Sequence, residues 1–151
     1  MLRVCKANRE LQLWGGPKKL MFRAPIALGW SPVSPKRGAG DGKTPEGTYR
    51  ICLIKEQGRH GQSLGLSYPN PADADKALQE GRIHSETHAA ILNAHQEGCR
   101  PPWGSPLGGE IYIHGGGAHQ DWTQGCIALE DDDMAQLFLF AEQIEIVEIL
   151  P

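Results

Sequence analysis

Glycine and proline interrupt this 151-residue chain along its whole length, and they limit how long any secondary-structure element can be. There are 19 glycines and 11 prolines, and they are spread along the chain instead of being gathered in a tail. Such spacing is typical of turns between short strands. Because 40% of the residues are hydrophobic, the chain can form a packed core. Its length suits a single domain over residues 1–151.

Alternating and apolar runs predict a chain that is mainly β. Residues 10–14 alternate polar and apolar side chains, as expected of a strand with one buried face. A second strand region, residues 19–28, is expected to bend at Pro25. Further strands are predicted over residues 48–54, 110–114, 126–129 and 144–150. The stretch between 31 and 47 is rich in proline, glycine and serine, which predicts a long loop.

Three segments carry the signals of helices. Asn70 and Pro71 are a favourable N-cap and first helical residue for a helix over residues 72–80. A second helix is predicted over 85–97, and a third over 131–143, where a run of acidic side chains suits a helix start. We therefore expect an α+β fold that is mainly β, with two or three helices.

Charge, hydropathy and cysteine spacing argue against several classes of function. The formal net charge is −3, from 15 basic and 18 acidic residues, so the basic excess of a nucleic-acid-binding protein is missing. No run of 18 apolar residues is present, so membrane insertion is not expected. The first residues lack the apolar core of a signal peptide. No two of the four cysteines form a C-x-x-C pair, as zinc-finger and thioredoxin-type sites would require.

One histidine and one cysteine stand where predicted strands meet glycine-rich turns. His114 ends one strand and Cys126 begins the next, 12 positions later. A thiol is only partly ionised near neutral pH, and a neighbouring imidazole activates it by taking its proton. The same imidazole can later return the proton to a leaving amine. The spacing alone fits both a catalytic pair and a structural pair, in which the cysteine is buried and the histidine lies in a turn.

Glycines flank both residues. The run 115–117 follows His114 and permits close approach of a substrate. Gly125 precedes Cys126, where it allows a tight turn whose N–H groups face a developing oxyanion. A catalytic reading therefore includes Gly125 together with the cysteine and the histidine.

Four separated segments together resemble the motifs of one enzyme family. The pattern His-Gly, then Thr-x-Gly-Cys-Ile, is similar to the signature of the L,D-transpeptidase catalytic domain, the YkuD family. Three further segments resemble other parts of that domain in the same order: residues 40–49 (GDGKTPEGTY), 66–70 (LSYPN) and 106–114 (PLGGEIYIH). The resemblance runs from about residue 3 to residue 150, and it implies a YkuD-like β-sandwich or barrel.

The resemblance also implies a reaction. Cys126 would attack a stem-peptide carbonyl of peptidoglycan, release a terminal D-alanine and form a thioester that a second stem amine, or water, resolves. His114 would act as general base and then general acid, and the N–H groups of Gly125 and Cys126 would hold the oxyanion. The Gly116 carbonyl is the expected orienter of the histidine. No metal or organic cofactor is implied, carbapenems are expected to react with the cysteine, and the substrate implies a periplasmic or extracellular location.

This sequence departs from the commonest family pattern in three places. The usual Ser-His-Gly-Cys is Thr123-Gln124-Gly125-Cys126, and Ala128 stands where the family usually has an arginine. The loop between the histidine and the cysteine is also shorter. These features resemble a divergent branch, some of whose members hydrolyse murein or its attached lipoprotein. Transpeptidation and hydrolysis therefore both stay open.

Further residues are expected to contact the substrate. The predicted set is Gly115, Gly116, Asp121, Trp122, Thr123 and Tyr68. Trp122 is expected to wall the pocket. Asp121 is expected to orient His114, to bind a cationic diamino acid, or to be an exposed loop carboxylate. His119 is an alternative replacement for the missing second histidine.

Two other classes of function compete with this enzyme. His84, His88 and His95 fall on one face of the second predicted helix, which is either a zinc site or a solvated polar surface. A fold that binds cell-wall peptide without turnover is the other candidate. An intact cysteine–histidine pair argues against that binding module.

Overall fold

The computed structural model describes all residues from Met1 to Pro151 as nine strands and three α-helices. The strands are β1 (Leu2–Cys5), β2 (Glu10–Gly16), β3 (Lys19–Pro25), β4 (Gly47–Tyr49), β5 (Ile51–Lys55), β6 (Ser63–Leu66), β7 (Tyr112–His114), β8 (Ile127–Ala128) and β9 (Val147–Leu150). The helices are α1 (Pro71–Gln79), α2 (Ser85–Gln96) and α3 (Asp131–Phe138), and a 3₁₀ turn follows at Ala141–Gln143. None of these helices is long and apolar enough to cross a membrane.

The strands form two sheets around one core. The first sheet has the order β3-β2-β1-β9-β4, and the second has the order β5-β6-β7-β8. In the first sheet, β1 pairs parallel to β9, so the two ends of the chain lie side by side. Both sheets contribute to a cluster of 21 buried residues, among them Leu2, Leu11, Leu64, Ile113 and Ile127. This burial is the main source of stability.

The second sheet contains the pairing that matters for function. Strands β7 and β8 are parallel neighbours, with Ile113 opposite Ile127 and His114 opposite Ala128. Parallel neighbours require a crossover connection, and here it is the segment between His114 and Cys126. That segment must leave the end of β7 and return to the start of β8.

The prediction of a mainly β, α+β fold is confirmed, and so are its three helices. Asn70 caps α1 through a capping box with Asp73, in which each side chain accepts from the other residue's backbone N–H. Helices α1 and α2 pack over a second, small core of Ala74, Ala77, Ile83, Ile91 and Leu107.

Four details differ from the sequence-based expectations. The single strand expected over 48–54 breaks at Arg50, because β4 joins the first sheet and β5 the second. The third helix ends at Phe138, where the N–H groups of Leu139 and Phe140 turn to carbonyls three residues back. Strands β1 and β6 were not predicted, since each spans only four residues without clear turn signals beside it.

The connection between β3 and β4 folds back on itself, so that the backbone of residues 40–47 packs against the segment around Gly29. The buried Gly29 N–H donates to Thr44 Oγ1 over 3.0 Å. A Cβ on Gly29 would lie 2.1 Å from the Gly42 carbonyl oxygen and 3.1 Å from the Gly125 Cα. Only glycine fits this approach, which brings the 40–47 segment against the turn before Cys126.

We expect Thr44→Val to destabilise the fold. Thr44 is fully buried, so valine keeps the shape but leaves the Gly29 N–H without its acceptor. A buried unpaired N–H costs about 1–3 kcal/mol, which a denaturant unfolding curve can measure. Thr48→Val is the matched control, because Thr48 is exposed on β4 and valine suits a strand. Equal unfolding midpoints for the two variants would contradict this reading.

Candidate active site

His114 and Cys126 line the same pocket, which has a volume of about 500 Å³ and 17 lining residues. The volume is within the range of small-molecule sites. The parallel pairing of β7 and β8 brings the two residues to the same pocket. Cys126 lies beside Tyr112, and His114 is two residues further along β7. Both residues proposed from the sequence as the catalytic pair therefore face one cavity.

The imidazole of His114 is buried and held in one tautomer. Only 1% of the residue is exposed, and Nδ1 lies 2.5 Å from the Gly115 carbonyl oxygen. A carbonyl oxygen can only accept, so Nδ1 carries the hydrogen and Nε2 has a free lone pair. The expectation that Gly116 supplies this carbonyl was wrong. The carbonyl that accepts from Nδ1 belongs to Gly115, the residue next to the histidine.

Cys126 Sγ is held between two backbone groups of the strand that precedes His114. The Tyr112 N–H donates to the sulfur over 3.4 Å. The thiol in turn donates to the Glu110 carbonyl oxygen over 3.5 Å. Glu110 has a positive φ of 54°, which is uncommon for a residue other than glycine. This backbone geometry aims the Glu110 carbonyl at the thiol.

The protonation of the resting pair follows from burial. Burial raises the pKa of the Cys126 thiol above its ordinary value, although the Tyr112 N–H and the charge of Lys36 oppose that rise. Burial also lowers the pKa of His114, against the Gly115 hydrogen bond, and a nearby His60 lowers it further. Both shifts favour the uncharged forms, a neutral thiol and a neutral imidazole, at neutral pH.

The turn before the cysteine is fixed by Thr123. Its hydroxyl accepts from the Gly125 N–H at 3.1 Å and donates to the Cys126 carbonyl at 2.7 Å. The Gly125 N–H is thus used inside the turn, so its expected role in an oxyanion hole was wrong. The Cys126 N–H has no partner in this turn and is the remaining candidate donor. Thr123 positions the nucleophile as well as lining the pocket.

Gly125 contributes to the site by its lack of a side chain. Its φ is +140°, and a Cβ there would lie 2.7 Å from the Lys43 carbonyl oxygen. Any other residue would clash with the 40–47 loop and be strained. The glycine before Cys126 is therefore required by packing and by backbone conformation.

The other predicted glycines support the site from outside the pocket. The Gly116 N–H donates to Asp131 Oδ1 at 2.9 Å, at the start of α3. A Cβ on Gly115 would lie 2.5 Å from that same oxygen. Neither glycine lines the pocket, so both hold the crossover segment in place.

Trp122 lines the pocket, as expected from the sequence. Its Nε1 donates to the Gly117 carbonyl at 3.0 Å, which fixes the ring. The edge of the indole faces His114, with ring centroids 5.7 Å apart. Trp122 thus forms one wall beside the imidazole and limits the access of water to it.

Asp121 and Tyr68 do not line the pocket, and their expected roles were wrong. Asp121 forms an ion pair with Arg9 at 2.8 Å and accepts from the Leu28 N–H at 2.9 Å. These bonds lower the pKa of the Asp121 carboxyl despite the opposing effect of burial. Tyr68 is fully buried, and its hydroxyl donates to the Leu107 carbonyl at 2.8 Å.

His60 and three cations line the pocket and were not found from the sequence. His60 stacks on His114, with centroids 4.1 Å apart and planes 12° apart. The cations are Lys36, Lys55 and Arg59. No local pattern marks these residues, because they come from loops and a strand end far from the signature.

Two of the three cations differ in how they are held. Lys36 Nζ is 2.9 Å from Asp41 Oδ1, and Asp41 also accepts three backbone N–H groups in the 37–43 turn, as expected of a loop cap. Lys55 Nζ lies 5.0 Å from the centroid of the Tyr112 ring and has no carboxylate partner. Lys55 is therefore free to meet an anionic group in the pocket.

The three helix histidines considered as a zinc site have separate surroundings. His88 Nε2 lies 2.7 Å from Asp75 Oδ1, and His95 Nε2 lies 2.8 Å from the Pro69 carbonyl oxygen. His84 is the N-cap residue of α2. No three His, Cys, Asp or Glu side chains converge as metal ligands. His119 is exposed, lies 3.5 Å from Glu130 and does not line the pocket.

We expect iodoacetamide to modify Cys126 slowly at neutral pH and steadily faster as the pH rises. The reason is the raised pKa of the buried thiol, since only the thiolate reacts. Mass analysis of the Cys126 peptide over roughly pH 5 to 10 measures the rate. The exposed Cys99 is an internal control in the same digest. Fast alkylation that persists at acid pH would instead indicate a preformed thiolate–imidazolium pair.

The comparisons with known proteins agree with this geometry. The L,D-transpeptidase catalytic domain, YkuD, matches residues 2–149. The helical cell shape determining protein Pgp2 from Campylobacter jejuni superposes with a TM-score of 0.67 and 20% identity, over 98% of this chain and 46% of its own. No curated protein sequence matches.

Two transpeptidase structures share the fold at lower identity. L,D-transpeptidase 1 from Mycobacterium tuberculosis has a TM-score of 0.55 and 10% identity, over 100% of this chain and 61% of its own. LdtMt1 in complex with imipenem has a TM-score of 0.53 and 11% identity, over 99% and 57%. The chain spans less than two thirds of each of these proteins. Since the domain match covers nearly every residue, this chain belongs to the YkuD family of L,D-transpeptidase catalytic domains.

Proposed function

We propose that this protein is a cysteine-dependent peptidoglycan L,D-transpeptidase that works through a thioester on Cys126. The observation that carries the proposal is the meeting of Cys126 and a tautomer-fixed His114 in one pocket. Family membership supplies the substrate class, since the matching domain is an L,D-transpeptidase catalytic domain. The stem peptide is therefore the proposed acyl donor.

Acylation uses three groups of this chain. Sγ of Cys126 attacks the carbonyl carbon, and its proton passes to the free Nε2 of His114. The Cys126 N–H is the group proposed to stabilise the oxyanion. When the tetrahedral intermediate collapses, the C–N bond breaks and the imidazolium returns the proton to the leaving amine. The product is a thioester and a free D-amino acid.

The second step decides between two reactions. An amine from another stem attacks the thioester to give a cross-link, while water gives a hydrolysed peptide. In either case His114 takes the proton of the attacking group, the C–S bond breaks, and the proton passes on to the Cys126 sulfur. Hydrolysis is the alternative that the sequence departures favour. Position 128, where the family commonly has arginine, is a fully buried alanine here and cannot contact substrate.

The charges in the pocket suit an acidic acyl donor. Stem peptides end in a carboxylate, and the pocket is lined by Lys36, Lys55 and Arg59 against the single carboxylate of Glu110. Lys55 has no ion-pair partner, so it can offer its ammonium to the substrate. The attraction between this ammonium and a substrate carboxylate is stronger in a partly enclosed site than in open solvent.

Product analysis tests the function. The wild-type protein and Cys126→Ala are each incubated with purified disaccharide-tetrapeptide and with cross-linked muropeptides. We expect loss of D-alanine from the tetrapeptide only with the wild type, because the sulfur is the nucleophile. New 3-3 dimers establish transpeptidation, while tripeptide alone establishes hydrolysis. Identical products from both proteins would overturn the enzyme proposal and favour a peptide-binding module.

A carbapenem tests the nucleophile independently of the natural substrate. Imipenem contains a strained acyl group, and LdtMt1 has been solved in complex with it. We expect intact-mass analysis to show one imipenem adduct, located on the Cys126 peptide. His114→Gln is expected to slow adduct formation by at least about 100-fold, since general-base catalysis contributes roughly that much. An adduct on Cys99 but not on Cys126 would contradict the assignment.

A further inference from the structure

We propose that His60 is a positioning residue for the catalytic step, which holds the His114 imidazole in place by stacking on it. His60 belongs to the connection between β5 and β6, and no sequence motif includes it. Its ring lies nearly parallel to that of His114, with centroids 4.1 Å apart. The inference rests on the proposed function, because it assigns a role in the same reaction.

The two histidines and Trp122 form one aromatic group. Trp122 meets His114 edge-on at 5.7 Å and His60 edge-on at 6.2 Å. His114 is therefore held by the Gly115 carbonyl at Nδ1, by a flat ring on one face and by an indole edge. Three different contacts restrict the rotation of the imidazole, so the ring that lines the pocket keeps one orientation.

An imidazole at position 60 acts on His114 electrostatically as well as by stacking, and it lowers the pKa of His114. Acylation requires His114 to become an imidazolium, and a neighbouring positive charge opposes that change. A substitution at residue 60 that adds or removes charge is therefore expected to move the His114 pKa.

Other charges near His114 must be included in this account. The pocket contributes Lys36, Lys55, Arg59, Glu110 and Cys126, and Asp131 lies behind Gly115 and Gly116. Lys36 is paired with Asp41, and Lys55 lies over Tyr112. Among these groups His60 is the one that stacks on the imidazole, so a change at residue 60 acts on His114 through direct ring contact.

The first measurement is an NMR titration of the His114 ring, which needs no substrate. The variants are His60→Phe, which keeps a flat ring that cannot be charged, and His60→Lys, which places a positive charge there without the ring. We expect the His114 pKa to rise in His60→Phe and to fall in His60→Lys, by about half a unit or more. His119→Phe is the matched control, because His119 is exposed and does not line the pocket. An unchanged titration in both residue-60 variants would overturn the proposal.

The second measurement is turnover of the tetrapeptide at a pH where His114 is neutral. We expect His60→Ala to lower kcat by about tenfold with a smaller change in KM, since the stacked ring acts by orienting the base. His60→Phe should restore most of that loss. A His60→Ala variant as fast as wild type would overturn the positioning role. Since the titration requires no turnover, it decides the proposal even if the wild type acts on no muropeptide.

Discussion

The contact of three backbone segments around Gly29 is the constraint on which the active site depends. The Gly29 N–H is bonded to Thr44, the Gly42 carbonyl packs against Gly29, and Gly125 packs against both neighbouring segments. The closest approaches in this junction are to the backbone carbonyls of Gly42 and Lys43, and the Thr44 hydroxyl adds a side-chain hydrogen bond. The turn that presents Cys126 therefore has a fixed place relative to the first sheet, and it cannot shift without opening the junction.

Strand pairing supplies the other half of the site. His114 lies on β7 and Cys126 immediately precedes β8, and these neighbouring strands run parallel. The crossover between them is anchored by Thr123, by Trp122 and by the N–H of Gly116. His114 and Cys126 are thus placed by the ladder of a sheet instead of by a flexible loop. Such placement on rigid elements is what a catalytic geometry needs.

The sequence was sufficient for the fold class, the helices and the placement of His114 and Cys126 at one pocket, because each had a local signal. Asn70 and Pro71 mark a helix start, and the glycines around His114 and Cys126 mark turns. The short strands β1 and β6 had no such signal. They form because they pair with neighbouring strands, and this pairing depends on residues outside the short strands themselves.

The contacts of individual side chains were less predictable than the elements. Asp121 and Tyr68 lie close to the signature or to a family motif, yet their partners are Arg9 and Leu107, far away in sequence. His60 shows the reverse, because it lies far from the signature in sequence but stacks on His114 in the structure. The sequence also could not predict which backbone N–H groups beside Cys126 are free to bind an oxyanion, because the Gly125 N–H donates to the Thr123 hydroxyl.

The neutral resting state of Cys126 has a consequence for chemical durability. Oxidants such as peroxide attack the thiolate, so a protonated, half-buried sulfur is oxidised slowly. All four cysteines are free, so Cys126 is not protected by a disulfide bond. The same burial that raises the pKa of the thiol therefore also slows its oxidation.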